Sequence, residues 1–137
     1  MTQPHSLEAA MGRIILAEDE EISGTIASSA LMNAGHAVGW LKNGQEVLAA
    51  MVRRPPNLAI LDCNMPGMSG VLVLREMRSR ADLCEVPVLM LTGRTSDSDE
   101  RIARFAGADE YLTKPFDLIE LVQTAEDLMN GKRRRLF

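Results

Sequence analysis

Five side chains in this sequence have the types needed to act together on a phosphoryl group: Glu18, Asp19, Asp62, Thr92 and Lys114. Crowded carboxylates repel, and their proton affinities rise unless a cation sits among them. A ligand set made of oxygen alone, with no His or Cys, suits a hard cation, magnesium first. A lysine and a hydroxyl beside that cation make a place for a phosphoryl group. The ammonium offsets its charge and the hydroxyl donates a hydrogen bond. Gly93 leaves room next to the hydroxyl of Thr92. A carboxylate in such a site can itself be the nucleophile and carry an aspartyl phosphate.

Taken singly, each residue has a duller reading. Asp19 can cap a helix and Glu20 can favour its first turn. Asp62 can be an ordinary turn residue before the Pro66-Gly67 bend. Thr92 can end a strand, and Lys114 can simply be solvated. What links them is their place relative to the elements around them. The unbroken apolar runs Ile14–Ala17, Leu58–Leu61 and Val88–Leu91 read as strands covered on both faces, as in a parallel sheet. His36–Leu41 and Glu110–Thr113 are weaker strand candidates. Glu18-Asp19 follows the first strand, Asp62 the third, Thr92-Gly93 the fourth and Lys114-Pro115 the fifth. In a parallel sheet these carboxyl ends share one edge, where open α/β folds bind ligands.

Helical patterns lie between the strands. Ile22, Ile26, Ala30 and Leu31 mark one face of a first helix, and Val47, Leu48 and Met51 mark a second. The third and fourth run roughly Val71–Ser79 and Ser98–Ala106. The last carries a stripe of Leu118, Leu121, Val122, Ala125, Leu128 and Met129. Gly35 stops the first helix, Lys42-Asn43-Gly44 opens the second, Pro55-Pro56 ends it, and Asp117 and Gly131 bracket the last. Strict alternation of strand and helix predicts an α/β doubly wound sheet with helices on both faces.

Composition sets outer limits. The chain has 137 residues, 15 Lys plus Arg against 19 Asp plus Glu, a net charge of −4 and 4% aromatics. One domain is expected, at 12–131, with an N-terminal extension at 1–11 and a basic tail at 132–137. Lys132, Arg133, Arg134 and Arg135 concentrate positive charge in that tail, so the body is more acidic than the total. An acidic body with few aromatics argues against nucleic-acid binding. Cys63 and Cys84 do not form a disulfide framework. Cys63 reads as a space-filling residue and Trp40 as a packing residue on the sheet edge. Met1–Ala10 has no apolar core, and the apolar runs are too short to span a bilayer. A cytoplasmic protein without membrane insertion is expected.

Four segments together resemble the receiver domain of two-component response regulators: IILAEDE at 14–20, LDCNMPGMSG at 61–70, MLTG at 90–93 and YLTKPF at 111–116. The D-x-x-M-P-x-M-x-G run starting at Asp62 is the most specific of them. The resemblance implies a flavodoxin-like, five-stranded sheet of order 2-1-3-4-5 with five helices. It implies that Asp62 accepts the phosphoryl group and that Mg2+ is held by Glu18, Asp19, Asp62 and the backbone carbonyl of Asn64. Many members of the family have Asp where Glu18 stands. Thr92 and Lys114 would hold phosphoryl oxygens, Lys114–Pro115 would be cis, and Tyr111 matches an aromatic switch position. Asn64 and Arg94 flank the approach of water and would tune the lifetime of the phosphoryl group.

By the same resemblance, the donor is a phosphohistidine on a sensor histidine kinase or histidine phosphotransfer protein. The helix 4–strand 5–helix 5 surface would then signal to a downstream protein target. The chain would catalyse its own phosphorylation and dephosphorylation without being a turnover enzyme. Four other readings compete. A phosphatase using an aspartyl phosphate usually carries a second aspartate two places on, where this chain has Asn64. A degenerate receiver that no longer accepts phosphate is opposed by the intact residue set. The others are the receiver half of a DNA-binding regulator, and a phosphorelay shuttle.

Overall fold

The unbroken apolar runs pair side by side as strands. The computed structural model describes residues 11–93 and 97–131. In it, β1 (Arg13–Ala17), β2 (Ala37–Leu41), β3 (Leu58–Asp62), β4 (Val88–Thr92) and β5 (Glu110–Thr113) form one sheet in the order β2-β1-β3-β4-β5, with every pair parallel. Between and after the strands run α1 (Glu21–Asn33), α2 (Gly44–Arg53), α3 (Gly70–Ser79), α4 (Asp97–Ala106) and α5 (Leu118–Met129). This is the doubly wound, flavodoxin-like architecture that the sequence predicts.

Strand side chains alternate between two cores. Ile14, Leu16, Leu58, Ile60, Leu89 and Leu91 pack with Ala27 and Leu31 of α1 and with Leu121, Ala125 and Leu128 of α5. Ile15, Ala17, Ala59, Leu61, Val88 and Met90 share the opposite core with α2, α3 and α4, through Val47, Met51, Val73, Leu74, Met77 and Ala103. Burying each large aliphatic side chain contributes about 1.5–3 kcal/mol, so the sheet is held from both faces. Cys63 is buried in the second core, in keeping with a space-filling role.

The helix ends are set locally. The side chains of Asn43, Ser69 and Asp117 accept N–H groups from the first turns of α2, α3 and α5. Each such cap is worth about 1 kcal/mol. Gly35 follows α1 with φ of 103°, a left-handed conformation that lets the chain leave the helix and enter β2.

The apolar stripe expected on α1 is only partly its buried face, which keeps Leu31 but not Ile22 or Ile26. Ile22 and Ile26 are exposed, at 76% and 44% relative accessibility, while Gly24, Ala27, Ser28 and Leu31 face the sheet. The cause is Trp40 of β2: a Cβ on Gly24 would overlap its ring, so small residues must line this contact. Leu118, at the start of the α5 stripe, is likewise exposed.

Two polar ties hold the edge of the sheet opposite the predicted site. Arg78 of α3 donates to the carbonyls of Cys84, Val86 and Gly107, and pairs with the fully buried Asp109 at 3.0 Å. Asp109 also accepts the N–H of Val88, where β4 starts. His36 ends just before β2. Its Nδ1 accepts the Gly12 N–H at 3.0 Å and its Nε2 meets Glu126 of α5 at 2.9 Å.

Candidate functional site

Parallel register brings the predicted residues to one edge. Ala17 pairs with Leu61, so Glu18 and Asp62 leave neighbouring strands at the same level. Thr92 pairs with Thr113, and the Lys114 N–H donates to the Thr92 carbonyl at 2.6 Å. The Lys114–Pro115 peptide is cis. Carboxylate oxygens of Glu18, Asp19 and Asp62 lie within 4.8 Å of one another. Glu18, Asp62 and Thr92 are buried, at 1%, 4% and 1% accessibility, whereas Asp19 is exposed. Asp19 does not cap α1, because the residue at the cap is Glu20. The duller reading of Asp19 therefore falls away.

Lys114 Nζ reaches into the cluster. It lies 2.6 Å from Glu18 Oε1, 3.2 Å from Asp62 Oδ2 and 3.4 Å from Glu20 Oε1. Burial works against its charge. Close pairing with Glu18, then the charges of Asp62 and Glu18, outweigh that and hold the ammonium above the usual lysine value. Asp62 is pushed the other way from its ordinary behaviour. Burial first, then the Glu18 charge, raise its carboxyl to about 7, against the opposing pull of the Asn64 N–H and Lys114.

The site fits a divalent cation. The contact between Lys114 and Glu18 Oε1 is close, yet this buried oxygen receives no well-directed hydrogen bond. Oxygens so placed, in a set free of nitrogen and sulfur ligands, are donors suited to Mg2+. Glu18 Oε2 instead accepts the Glu20 N–H at 3.1 Å. Asn64 stands at the exposed rim, where its N–H donates to Asp62 Oδ1 at 3.2 Å.

Tyr111 is half-buried on β5, away from the acidic cluster, and its ring lies 6.0 Å from the Arg104 guanidinium of α4. Arg94 and the Lys132–Arg135 run lie outside the described residues. Two residues near the site are not singled out by the sequence reading. Glu20, expected only to favour the first turn of α1, faces Lys114 and accepts the Ser23 hydroxyl at 3.0 Å. That hydrogen bond, and then Lys114, hold its carboxyl below its ordinary range. Trp40, read only as packing, donates its indole N–H to the Glu18 carbonyl at 2.8 Å.

The model of the response regulator receiver domain matches residues 14–126, which is most of the chain. The chain belongs to the response regulator receiver family. It is 38% identical over 117 residues to the transcriptional regulatory protein QseB of Escherichia coli O157:H7, covering 85% of this chain and 52% of that protein. The chain spans about half the length of the curated relatives it matches. Among solved structures, the chemotaxis protein CheY4 of Vibrio cholerae is 30% identical with a TM-score of 0.78, covering 84% of this receiver and 96% of that chain. The receiver domain of the sensor histidine kinase PA1611 from Pseudomonas aeruginosa PAO1 is 26% identical with a TM-score of 0.83. It covers 89% of this receiver and 100% of that chain, and carries a magnesium ion coordinated in its active-site cleft.

Proposed function

We propose that this receiver is a phosphorylation-driven switch in the cytoplasm. It accepts a phosphoryl group on Asp62 from a phosphohistidine of a sensor histidine kinase or histidine phosphotransfer protein. The observation that carries this reading is the convergence of Glu18, Asp19, Asp62 and Lys114, with the Asp62 carboxyl raised by burial and then by the charge of Glu18. The unit doing this work runs 12–131.

Glu18, Asp19, Asp62 and the Asn64 carbonyl would hold magnesium, which would supply positive charge to keep the carboxylates ionised and to offset charge on the transferred group. Asp62 attacks phosphorus in line with the leaving imidazole; a P–O bond forms, the P–N bond breaks and the histidine leaves. Lys114, already 3.2 Å from Asp62, pairs with an oxygen of the new acyl phosphate. Thr92 ends β4 at the same edge and donates its hydroxyl to another. Tyr111 moves inward, and the surface of α4, β5 and α5 shifts its population of conformations, which a downstream protein reads. Water returns Asp62 to its carboxylate and releases inorganic phosphate, and Asn64 and Arg94 tune how long the acyl phosphate lasts. The cycle consumes one phosphoryl group per switch, so the chain is its own substrate and not a turnover enzyme.

The test is intact-mass analysis after incubation with acetyl phosphate. One added phosphoryl group is expected with Mg2+ and none after chelation. Equal labelling in both conditions would contradict the metal's part.

A further inference from the structure

We propose that Trp40 is a positioning residue for the acidic cluster: it clamps the peptide group joining Glu18 to Asp19, and so sets how these two acids meet a divalent cation. This rests on the magnesium site proposed above. The ladder of β1 ends at Ala17, which pairs with Leu41 on one side and Leu61 on the other. Glu18 lies one residue beyond. Its N–H still donates to the Leu41 carbonyl at 3.0 Å, but its own carbonyl lies past the paired residues. The indole N–H of Trp40 takes that carbonyl at 2.8 Å.

The bonded oxygen belongs to the same planar unit as the Asp19 nitrogen. Because the peptide is rigid, holding its oxygen also orients the bond that leads to the Asp19 Cα. A single donor thus constrains the backbone between a buried acid and an exposed one. This is the point at which the chain must turn from strand to helix while keeping both carboxylates near Asp62.

Trp40 is itself held by contacts independent of Glu18. Its ring lies against the bare backbone of Gly24 in α1, a position where any Cβ would overlap it. The Lys42 ammonium lies 5.4 Å above the ring and pairs with Glu21 in the first turn of α1. The indole therefore ties β2 and α1 together and aims its N–H at the end of β1. Trp40→Phe keeps an aromatic side chain on β2 but removes the donor together with the ring atoms Cζ2 and Cη2 that meet Gly24, so melts report the lost packing while the metal titration and the Asp19 amide report the lost donor.

The experiment compares the 137-residue chain, as wild type and as Trp40→Phe, by calorimetric titration with MgCl2, alongside thermal melts in EDTA. Mg2+ affinity is expected to fall about three- to tenfold in Trp40→Phe, as loss of one such hydrogen bond predicts. The backbone amide NMR shift of Asp19 should move even without metal. Unchanged affinity and an unmoved Asp19 amide would overturn the proposal, whatever happens to the melting temperature. Wild type that binds no Mg2+ would instead overturn the metal site, and the Asp19 amide alone would then decide the clamp. If Trp40→Phe does not fold, wild type carries the test. Trp40 is the chain's one tryptophan, so its indole N–H gives a single resonance. That resonance should shift and saturate with Mg2+, and a resonance that stays fixed at saturating Mg2+ would overturn the clamp.

Discussion

Lys114 Nζ lies 2.6 Å from Glu18 Oε1, nearer than its 3.2 Å distance to Asp62. The lysine expected to serve the phosphoacceptor thus leans first on the longer acid at position 18. Removing Lys114 leaves Glu18 and Asp62 buried together without their internal cation. Lys114→Ala should lower metal-free stability by about 1–3 kcal/mol, because buried charges without partners are costly. Mg2+ should restore much of the loss. The variant should also fail to shift its α4 and β5 NMR signals when a phosphate mimic is added. Wild-type shifts in the variant would contradict the role of the lysine.

Asp62 gives the metal-free protein a pH signature. Its folded-state carboxyl is raised to about 7, above the ordinary aspartate value of 3.8 that the unfolded chain retains. Between these values the folded state holds a proton that the unfolded state has lost. The stabilisation is therefore complete below the lower value and disappears as pH rises through about 7. In EDTA, wild type should lose stability relative to Asp62→Asn from about pH 4 to about pH 7. Saturating Mg2+ should flatten the difference. Parallel denaturation profiles for the two proteins in EDTA would contradict this account.

Gly70 opens α3 directly behind Asp62, the proposed phosphoacceptor. A Cβ there would overlap the Asp62 carbonyl oxygen, which is backbone and cannot swing aside. Gly70→Ala should displace Asp62, destabilise the fold by about 1–3 kcal/mol and slow labelling by acetyl phosphate. The rate of mass increase beside a denaturation curve checks both. Unchanged labelling would show that the backbone of Asp62 tolerates the shift.

Arg78 tests the separation of stability from chemistry. Its guanidinium neutralises the buried Asp109 and holds carbonyls on both sides of β4, at the sheet edge away from the site. Arg78→Ala should cost about 3–5 kcal/mol, as breaking buried pairs does. The variant that remains folded should bind Mg2+ with wild-type affinity by calorimetry. A large affinity loss would place Arg78 in the site's support.

The strands were readable because β1, β3 and β4 are covered on both faces and so carry no polar interruption. The site was readable because register in a parallel sheet turns sequence order into spatial neighbours. Asp19 and Lys114 meet Asp62 for that reason alone. The face of α1 was misread because periodicity cannot foresee that Trp40 needs Gly24 beneath it. Glu20, the Trp40 donor and the Arg78–Asp109 pair depend on side chains from distant segments meeting at short range. No local spacing announces such pairings. A buried Asp109 before β5 looks in sequence like any turn residue.

The central claim is that Asp62 carries the phosphoryl group. Wild type and Asp62→Asn, each incubated with acetyl phosphate and Mg2+, test it by intact-mass analysis. The account predicts one added phosphoryl group on wild type and none on the variant. Equal labelling of the two proteins would contradict it.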